Sequence, residues 1–459
     1  MENTMYPGEL TDKNICEIFQ DAGDFVRRKL RCGEFTLVAY AIDGLTSGAD
    51  ASDYIFKPIT RHLQGNTMQE LFDGALNGMI YNSVANACED LDTVALKLVN
   101  GFCVVLFPQV GAIAFEVKTG EKRGIASPDL ENTAKGPKDA FVETIRTNTS
   151  LIRRHIRTPN LRLYETQVGK HSLTNVSVVW IAGITNPKLV QRMKSRLESL
   201  DIDGLLSPAA VQECVTGARS TAFPLIQYTE RTDTFCQGLL AGRVGVFVDG
   251  LPLGYLAPVD VGYLMTSAED YGRDYISASC VRVLRYLALG ISLLLPALFI
   301  ALTVHHTALI PPKLWTLIQN SKANAPFSTV WEVLGLLIAF ELLQESGVHL
   351  PRSIGQSVSI IGGIVVGTAG AEAGLISSVA LIMVSIAGIC GFVLPNRDFA
   401  AAIRVWRFLL AVFAAFTGLL GLVLGVAFLV IRLFRLKSLG VCYLVCNEPG
   451  ILRKQMKNG

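Results

Sequence analysis

The sequence predicts an α/β N-terminal soluble domain of two tandem similar subdomains, followed by an α-helical integral membrane domain of four to five spans. Three observations predict this architecture. Most charged residues of the 459-residue chain precede Ser279. Long uncharged stretches fill the region from Leu287 to Ile431, and short sequence strings recur within the soluble part.

The length exceeds that of one compact domain, so the chain is divided into several parts. We assign residues 1–34 to an N-terminal segment and 35–137 to a first α/β subdomain. Residues 138–270 form a linking helix and a second α/β subdomain. Residues 271–437 form the helical transmembrane domain, and 438–459 a C-terminal tail.

Composition excludes several classes of protein. The net charge is +2, from 41 basic and 39 acidic residues, which does not favour nucleic acid as a partner. The ten cysteines contain no CxxC pair, so we interpret them as thiols in a reducing compartment and expect no metal site. The N-terminus lacks a basic start followed by an apolar core, so we expect the first domain to remain in the cytoplasm.

Short β-branched runs alternate with helical patterns in the soluble part. Buried strands are predicted at Phe35–Ile42 and Thr174–Ala182, and a hairpin at Phe102–Phe107 and Gly111–Val117. Helices are predicted at Ala51–Leu63, Pro187–Leu200 and, as the link, Lys138–Ile156.

Two strings recur at nearly one spacing. The string from Tyr40 to Thr46 resembles that from Val179 to Thr185, an offset of 139. The string from Asp92 to Gly101 resembles that from Asp233 to Gly242, an offset of 141, and both copies lead into a strand pair. We therefore predict two subdomains with the same strand order.

Spanning a bilayer as a helix takes about 20 apolar residues. Four uncharged runs meet or approach this length: Leu287–Val304, Ser353–Ala371, Ala373–Asn396 and Phe408–Ile431. The segment Glu332–Glu345 is ambiguous between an interfacial helix and a span whose acids face a watery interior. Arginines before the first run predict a cytoplasmic N-terminal domain.

No residue pattern supports catalysis, since P-loop, HExxH and GxSxG motifs are absent from the sequence. His305 and His306 are interpreted as polar residues at a membrane interface. The basic run Arg153–Arg157 is interpreted as the solvated end of the linking helix, with contact to anionic lipid or a partner as the alternative.

A series of short motifs runs in order along the chain: Asp43-Gly44, GPKDAFVETIRTN (Gly136 to Asn148), Ile202-Asp203-Gly204, ERTDT (Glu230 to Thr234), Gly242-Arg243-Val244, Asp249-Gly250, SLLLPA (Ser292 to Ala297), FELLQE (Phe340 to Glu345), GVHLPR (Gly347 to Arg352), Ile354-Gly355-Gln356, Gly362-Gly363 and Glu372-Ala373-Gly374. By this series the chain, from about Val26 to Leu436, resembles an A subunit of the GerA family of spore-germinant receptors from endospore-forming bacteria. One departure is a short approach to the motif at Glu230, where many relatives have a longer Pro-rich stretch and this chain keeps Phe223-Pro224.

The resemblance implies a non-enzymatic signalling protein of the spore inner membrane that needs no cofactor. It implies work with a transporter-like B subunit and a lipoprotein C subunit, a response to small nutrient germinants, and assembly into an ion-conducting oligomer. Two alternatives are a paralogous spore membrane protein that assists dipicolinic-acid release, and a solute transporter subunit. The four runs lack the paired inverted repeats typical of transporters.

Polar residues within apolar runs are the candidate functional residues. Glu341, Glu345, Gln356 and Glu372 are the candidate pore or membrane-polar positions, with an ion pair between Glu341 and Arg352 as the structural alternative. For Glu372, an ordinary loop acid is the favoured interpretation over a polar group at a pore mouth. Gly363, Gly367, Gly370 and Gly374 have the spacing that lets helix backbones approach closely, and are candidates for helix packing.

Overall fold

A computed structural model describes residues 5–80, 82, 84–118, 128, 131, 136–217, 221–349 and 369–444. These residues divide into two compact units. The first unit contains the described residues up to 217 together with Ile226–Pro258, and the second contains 221–225 and 259–444. Apart from 221–225, the second unit begins at Val259, whereas the sequence analysis places the start of the helical domain at residue 271.

The first lobe of the first unit is a five-stranded sheet whose paired strands are all antiparallel. Its strands, in the order β1-β2-β4-β5-β3, are β1 (Phe25–Cys32), β2 (Phe35–Ile42), β3 (Ala85–Cys88), β4 (Phe102–Phe107) and β5 (Gly111–Glu116). Its helices are α1 (Asp12–Ile18), α2 (Gly48–Ala51), α3 (Lys57–Arg61), α4 (Met68–Gly74) and α5 (Leu91–Val99), with π-helical turns at Ser52–Phe56 and Ala75–Met79.

Strand β1 lies within residues 1–34, which the sequence analysis left outside the first subdomain. It is an edge strand that pairs only with β2 among the described strands, and its Arg and Lys side chains are exposed. Charged side chains protect a sheet edge from unwanted pairing. Because these side chains are charged, β1 does not show as an apolar run in the sequence and was not predicted. With β1 included, the first subdomain begins before Phe35.

The second lobe repeats the first with the strand order β6-β7-β9-β10-β8. Its strands are β6 (Leu161–Val168), β7 (Thr174–Ile181), β8 (Gln227–Thr229), β9 (Val244–Val248) and β10 (Gly254–Ala257). Its helices are α6 (Ile145–His155), α7 (Pro187–Glu198), α8 (Pro208–Thr216) and α9 (Thr232–Leu240).

The two lobes also share the pairing register of their central strands, β2 with β4 in the first lobe and β7 with β9 in the second. Tyr40 pairs with Val104 in the first sheet, and Val179 pairs with Gly245 in the second, at the offsets of 139 and 141 found in the sequence. The glycines that follow equivalent elements share positive φ values, with 83° at Gly101 and 88° at Gly242. The predicted tandem repeat is thus confirmed.

The two lobes fill equivalent core positions with different volumes. Val94, Val104 and Ala112 pack together in the first lobe. In the second lobe Phe235 stands where Val94 does, and its ring lies over Gly245. A Cβ added at Gly245 would lie 2.2 Å from the ring. The interior is closely packed, so the larger side chain of Phe235 requires a smaller residue, Gly245, at the position that Val104 occupies in the first lobe.

The linking helix starts later than predicted. Helix α6 begins at Ile145, and ahead of it Ala140 forms a β-bridge with Arg231 in the motif around Glu230. The amide N–H of Phe141 donates to the carbonyl of Glu230 at 2.8 Å. The amide N–H of Ile145 donates to the Asp249 carboxylate at 3.1 Å, which supplies a helix cap from the second sheet.

The second unit is helical. Its helices are α10 (Val261–Leu264), α11 (Tyr275–Ile300), α12 (Pro312–Lys322), α13 (Thr329–His349), α14 (Gly370–Glu372), α15 (Ser378–Phe392), α16 (Arg397–Thr417) and α17 (Leu419–Arg435), with a π-helical turn at Ala301–His305, 3-10 turns at Ala268–Gly272 and Thr307–Leu309, and short strands β11 (Lys437–Ser438) and β12 (Val441–Cys442). A buried cluster that includes Ala297, Ile300, Val384 and Leu410 joins α11, α15 and α16.

Among the described residues, two helices are long and apolar enough to cross a membrane, Tyr275–His305 and Arg397–Thr417. The first contains the predicted run Leu287–Val304. Helix α15, within the run Ala373–Asn396, is apolar but only 15 residues long. Most of the run Ser353–Ala371 lies outside the described residues, so a count of four or five spans stays a prediction.

The prediction of a single helix over Phe408–Ile431 is wrong. Gly418 ends α16 with φ 66° and ψ −136°, and α17 starts at the next residue. A Cβ at Gly418 would lie 2.8 Å from that of His305, and one at Gly421 would lie 2.1 Å from the Phe413 carbonyl oxygen. Gly418 therefore permits the break between the two helices, and Gly421 permits α17 to approach the end of α16 closely. A hydropathy profile does not detect either feature.

Candidate functional site in the helical unit

The candidate polar residues lie on different helices. Glu341 and Glu345 are one turn apart on α13, Glu372 ends α14, and all three are exposed on the single chain. Gln356, Gly363 and Gly367 lie outside the described residues. Gly374 has φ 67° just after α14, where it ends a helical turn, and the packing role predicted for it and Gly370 stays a prediction.

Glu341 forms an ion pair, but with an arginine that the sequence analysis did not suggest. The Arg404 Nε atom lies 3.0 Å from Glu341 Oε1, which joins α13 to α16. The alternative partner Arg352 lies outside the described residues. Because the Glu341 side chain is 48% exposed, this pair contributes little to stability on its own.

Some buried charged residues of the helical unit were not among the predicted candidates. Arg407 is buried in the middle of α16, and its Nη1 donates to the Ala387 carbonyl at 3.2 Å. Glu332 near the start of α13 is buried, and within the described ranges neither of its carboxylate oxygens forms a hydrogen bond of ordinary geometry. The signal available in the sequence was a charge within a largely apolar helical pattern.

In the first unit, the motif strings meet one another. Ala140 bridges to Arg231 in antiparallel fashion, and the Arg231 guanidinium donates to the Pro137 carbonyl at 3.1 Å and to Asp233 at 2.7 Å. Arg231 also donates to the carbonyl of Glu131, and burial raises the pKa of the Glu131 carboxyl. The strings around Gly136 and Glu230 thus form one structural core.

Arg146, from the same motif, joins the two lobes. Its Nε lies 3.1 Å from Asp43, which follows β2, and its Nη1 lies 2.8 Å from Glu165 on β6. The neighbouring Gly44 has φ 84° and packs against α6, where an added Cβ would lie 3.1 Å from that of Ser150. Arg146, Asp43 and Gly44 of the motifs therefore help to hold the two lobes and α6 together.

The fold and these residues define a two-unit protein in which a double α/β lobe precedes a helical unit containing helices of membrane-spanning length. The model of the Bacillus/Clostridium GerA spore germination protein family matches residues 13–458. The chain belongs to this family, which confirms the resemblance that its motifs carry.

Three relatives of the chain come from Bacillus subtilis strain 168. The chain is 33% identical to "Uncharacterized membrane protein YfkQ" over 440 residues, 95% of this chain and 85% of that protein. It is 32% identical to "Spore germination protein KA" over 448 residues, 95% of this chain and 81% of that protein. It is 33% identical to "Spore germination protein A1" over 372 residues, covering 79% and 77%.

A solved structure also matches. It is the crystal structure of the N-terminal domain of the A subunit of the Bacillus megaterium spore germinant receptor GerK3. The match has a TM-score of 0.42 at 27% identity and covers 54% of this chain and 92% of that one.

Proposed function

We propose that this chain is a membrane subunit of a nutrient-germinant receptor that triggers spore germination. Membership of the GerA family over residues 13–458 is the observation that carries the proposal. Several relatives along most of the chain, such as "Spore germination protein KA" and "Spore germination protein A1", have names that refer to germination.

The second part of the proposal is that several copies assemble into a ligand-gated ion channel. Glu341, Glu345 and Glu372 are exposed on the single chain although they belong to an apolar helical unit. A carboxylate facing hydrocarbon is costly, so these acids are better placed against neighbouring subunits or water. Rings of acids from several subunits favour cations. Gln356 is proposed to border the same path, and Gly363, Gly367, Gly370 and Gly374 to let helices pack closely around it.

The proposed assembly contains a transporter-like B subunit and a lipoprotein C subunit, with a small nutrient germinant bound by the complex. It lies in the spore inner membrane, with the double α/β lobe on the cytoplasmic side. The absence of a basic excess, with net charge +2, favours this reading over a nucleic-acid-binding role.

The test replaces Glu341 by Gln in spores that carry the chain with its partner subunits. Potassium release is measured after addition of a mixture of amino acids, sugars and nucleosides, with protein level followed by immunoblot. The proposal expects slower release from Glu341→Gln at an unchanged protein level. Arg404→Gln is the control, since it breaks the same ion pair but retains the acid. Equal rates for Glu341→Gln and wild type would remove Glu341 from the path, and equal losses in both variants would assign it a structural role.

A further inference from the structure

An apolar cavity lies in the helical unit beside the end of α11. Its volume is 170 Å³. Its walls come from α11, the connection to α12, α12 itself and α15, which contribute among others Leu298, Ile310, Ile318 and Met383. In another protein, an engineered cavity of about 150 Å³ with walls of Leu, Ile and Phe stays dry and binds benzene. The cavity of this chain is therefore large enough for about six carbon atoms.

The lining offers hydrocarbon contacts and little else. Among the described residues that line the cavity, Thr303 alone carries a hydroxyl, and the others are Leu, Ile, Phe, Pro and Met. The Thr303 hydroxyl already donates to the carbonyl of Phe299 at 2.7 Å. A polar ligand would give up hydrogen bonds to water without replacing them in this cavity. The lining therefore fits a hydrocarbon group.

The mouth of the cavity is also apolar. Leu309 and Leu314 line it and are 64% and 48% exposed. Leu317, one turn beyond Leu314 on α12, is 58% exposed. Exposed apolar side chains that lie together mark contact with a membrane or with another protein.

The position of the cavity favours a membrane lipid. Its α11 wall runs from Leu295 to Thr303, near the end of the segment Tyr275–His305 that is long and apolar enough to cross a membrane. Lys313 beside the exposed Leu314 gives α12 the mixed character of a helix at a membrane surface. A space for about six carbons admits one hydrocarbon chain, whereas a second helix has a diameter of about 10 Å.

We propose that this cavity binds the end of one acyl chain of a membrane phospholipid. The chain enters at Leu309 and Leu314 and contacts Met383 on α15. Its carbon atoms supply the dispersion contacts that the lining side chains lack when the space is empty. The proposal rests on the membrane location given under the proposed function, and it is independent of ion conduction and of any germinant.

The test uses the purified full-length chain in vesicles of phosphatidylcholine. A small fraction of the lipid carries a diazirine at the end of one acyl chain, which inserts into neighbouring residues on irradiation. Mass spectrometry of the digested chain then compares labelling at Met383, which is partly buried, with labelling at Ile389, which is 65% exposed on the same helix. The wild type is expected to be labelled at both positions.

A larger side chain in the cavity should exclude the acyl chain. Leu298→Phe is expected to lower the labelling of Met383 relative to Ile389 by about tenfold, because overpacking a filled space opposes binding. Leu287→Phe is the matched control, since Leu287 is 59% exposed about three turns earlier on α11 and does not line the cavity. It should keep the wild-type ratio. Thr303→Val should keep it too, because the occupant needs no hydroxyl.

The Tm of each variant in detergent, followed by circular dichroism, shows whether it folds. If Leu298→Phe does not fold, Leu314→Phe narrows the mouth from an exposed position and should lower the same ratio. Potassium release is not part of the readout, so failure of the lipid site and failure of the receptor function are separate results.

Three results would overturn the proposal. One is a wild type labelled at Ile389 but not at Met383, which would leave the cavity to a side chain of a second copy or to water. Another is an unchanged ratio in folded Leu298→Phe or Leu314→Phe, which would place the acyl chain outside the cavity. The third is a loss in Thr303→Val or Leu287→Phe equal to that in Leu298→Phe, which would indicate a polar occupant or a general effect on α11.

Discussion

Asp24 and Arg153 form a bidentate ion pair that is closed to solvent. The Arg153 Nε and Nη2 atoms lie 2.7 Å from Asp24 Oδ2 and Oδ1, and both side chains are 1% exposed. Asp24 precedes β1 of the first lobe, and Arg153 lies on α6 in front of the second. Beside the pair, the amide N–H of Gly23 donates to the carbonyl of Leu163 on β6 at 2.9 Å. The ion pair and the backbone hydrogen bond therefore connect the two lobes at the same place.

Breaking this ion pair should destabilise the double lobe strongly. Arg153→Met retains the apolar stem but leaves Asp24 buried without its partner, and we expect a loss of about 3–5 kcal/mol in the free energy of unfolding. Chemical denaturation followed by circular dichroism measures it. Lys57→Met is the control, because it removes an exposed i,i+4 pair with Asp53 and should cost at most about 0.5 kcal/mol. Equal effects from the two variants would contradict the prediction.

The second lobe should not tolerate a side chain at Gly245. Gly245→Ala drives a methyl group into the Phe235 ring, and we expect a loss of about 1–3 kcal/mol or more in unfolding free energy. Phe235→Leu in the same chain should recover part of that loss, because the smaller side chain vacates the space. Denaturation of the two single variants and the double variant measures the coupling. Additive losses would show that the ring and the glycine do not share one space.

The break between α16 and α17 should depend on glycine. Gly418→Ala forces a β-carbon into a conformation with φ 66° and against His305, at a cost of about 1–3 kcal/mol. We expect a lower Tm for the full-length chain in detergent. Gly290→Ala in α11 meets open space and should leave the Tm unchanged or raise it slightly. A Tm for Gly418→Ala at or above wild type would contradict the break.

We expect the buried carboxylate of Glu332 to lower the stability of the helical unit. Its carboxylate is buried, and neither oxygen forms a hydrogen bond of ordinary geometry to any residue that the structure describes, so a neutral amide of similar shape is easier to bury. Glu332→Gln is expected to raise the Tm at pH 7. Glu341→Gln, which breaks a half-exposed ion pair, should leave it nearly unchanged. A clear fall in Tm for Glu332→Gln would mean that the charge of Glu332 has a partner in the assembled protein.

Acid should weaken the contact of α1 with the first sheet. Hydrogen bonds from Arg27 and Tyr40 lower the pKa of Asp12 from 3.8 to about 2, against a partial burial that raises it. Because the folded pKa is depressed, the contribution of Asp12 is fully present above about pH 4 and is lost as pH falls to about 2. The Tm difference between wild type and Asp12→Asn should therefore shrink across this range. A difference that stays constant would assign the stabilisation to shape rather than charge.

Strong local patterns predicted much of the first unit. The strands Phe35–Ile42 and Phe102–Phe107 have the bounds expected from their apolar runs, and the recurring strings predicted the repeated strand order. Strand β1 was missed because its outward side chains are charged. The start of α6 was misplaced because the Asp249 carboxylate that caps it comes from a hairpin about 100 residues later in the chain.

In the helical unit, hydropathy identified apolar segments but not where they break. The composition of Phe408–Ile431 does not indicate that Gly418 adopts a backbone conformation with positive φ, which residues other than glycine rarely adopt. The pairing of Glu341 with Arg404 joins residues on two helices, so local spacing could not reveal it.

The sequence by itself determined the family, the order of the elements and the duplication of the α/β lobe, because these depend on residues near one another in the chain. Only the tertiary structure decided which charges are compensated. Asp24 finds Arg153 across 129 positions, while Arg407 is buried without a carboxylate partner among the described residues. Compensation of a buried charge depends on distances between groups that folding alone brings together.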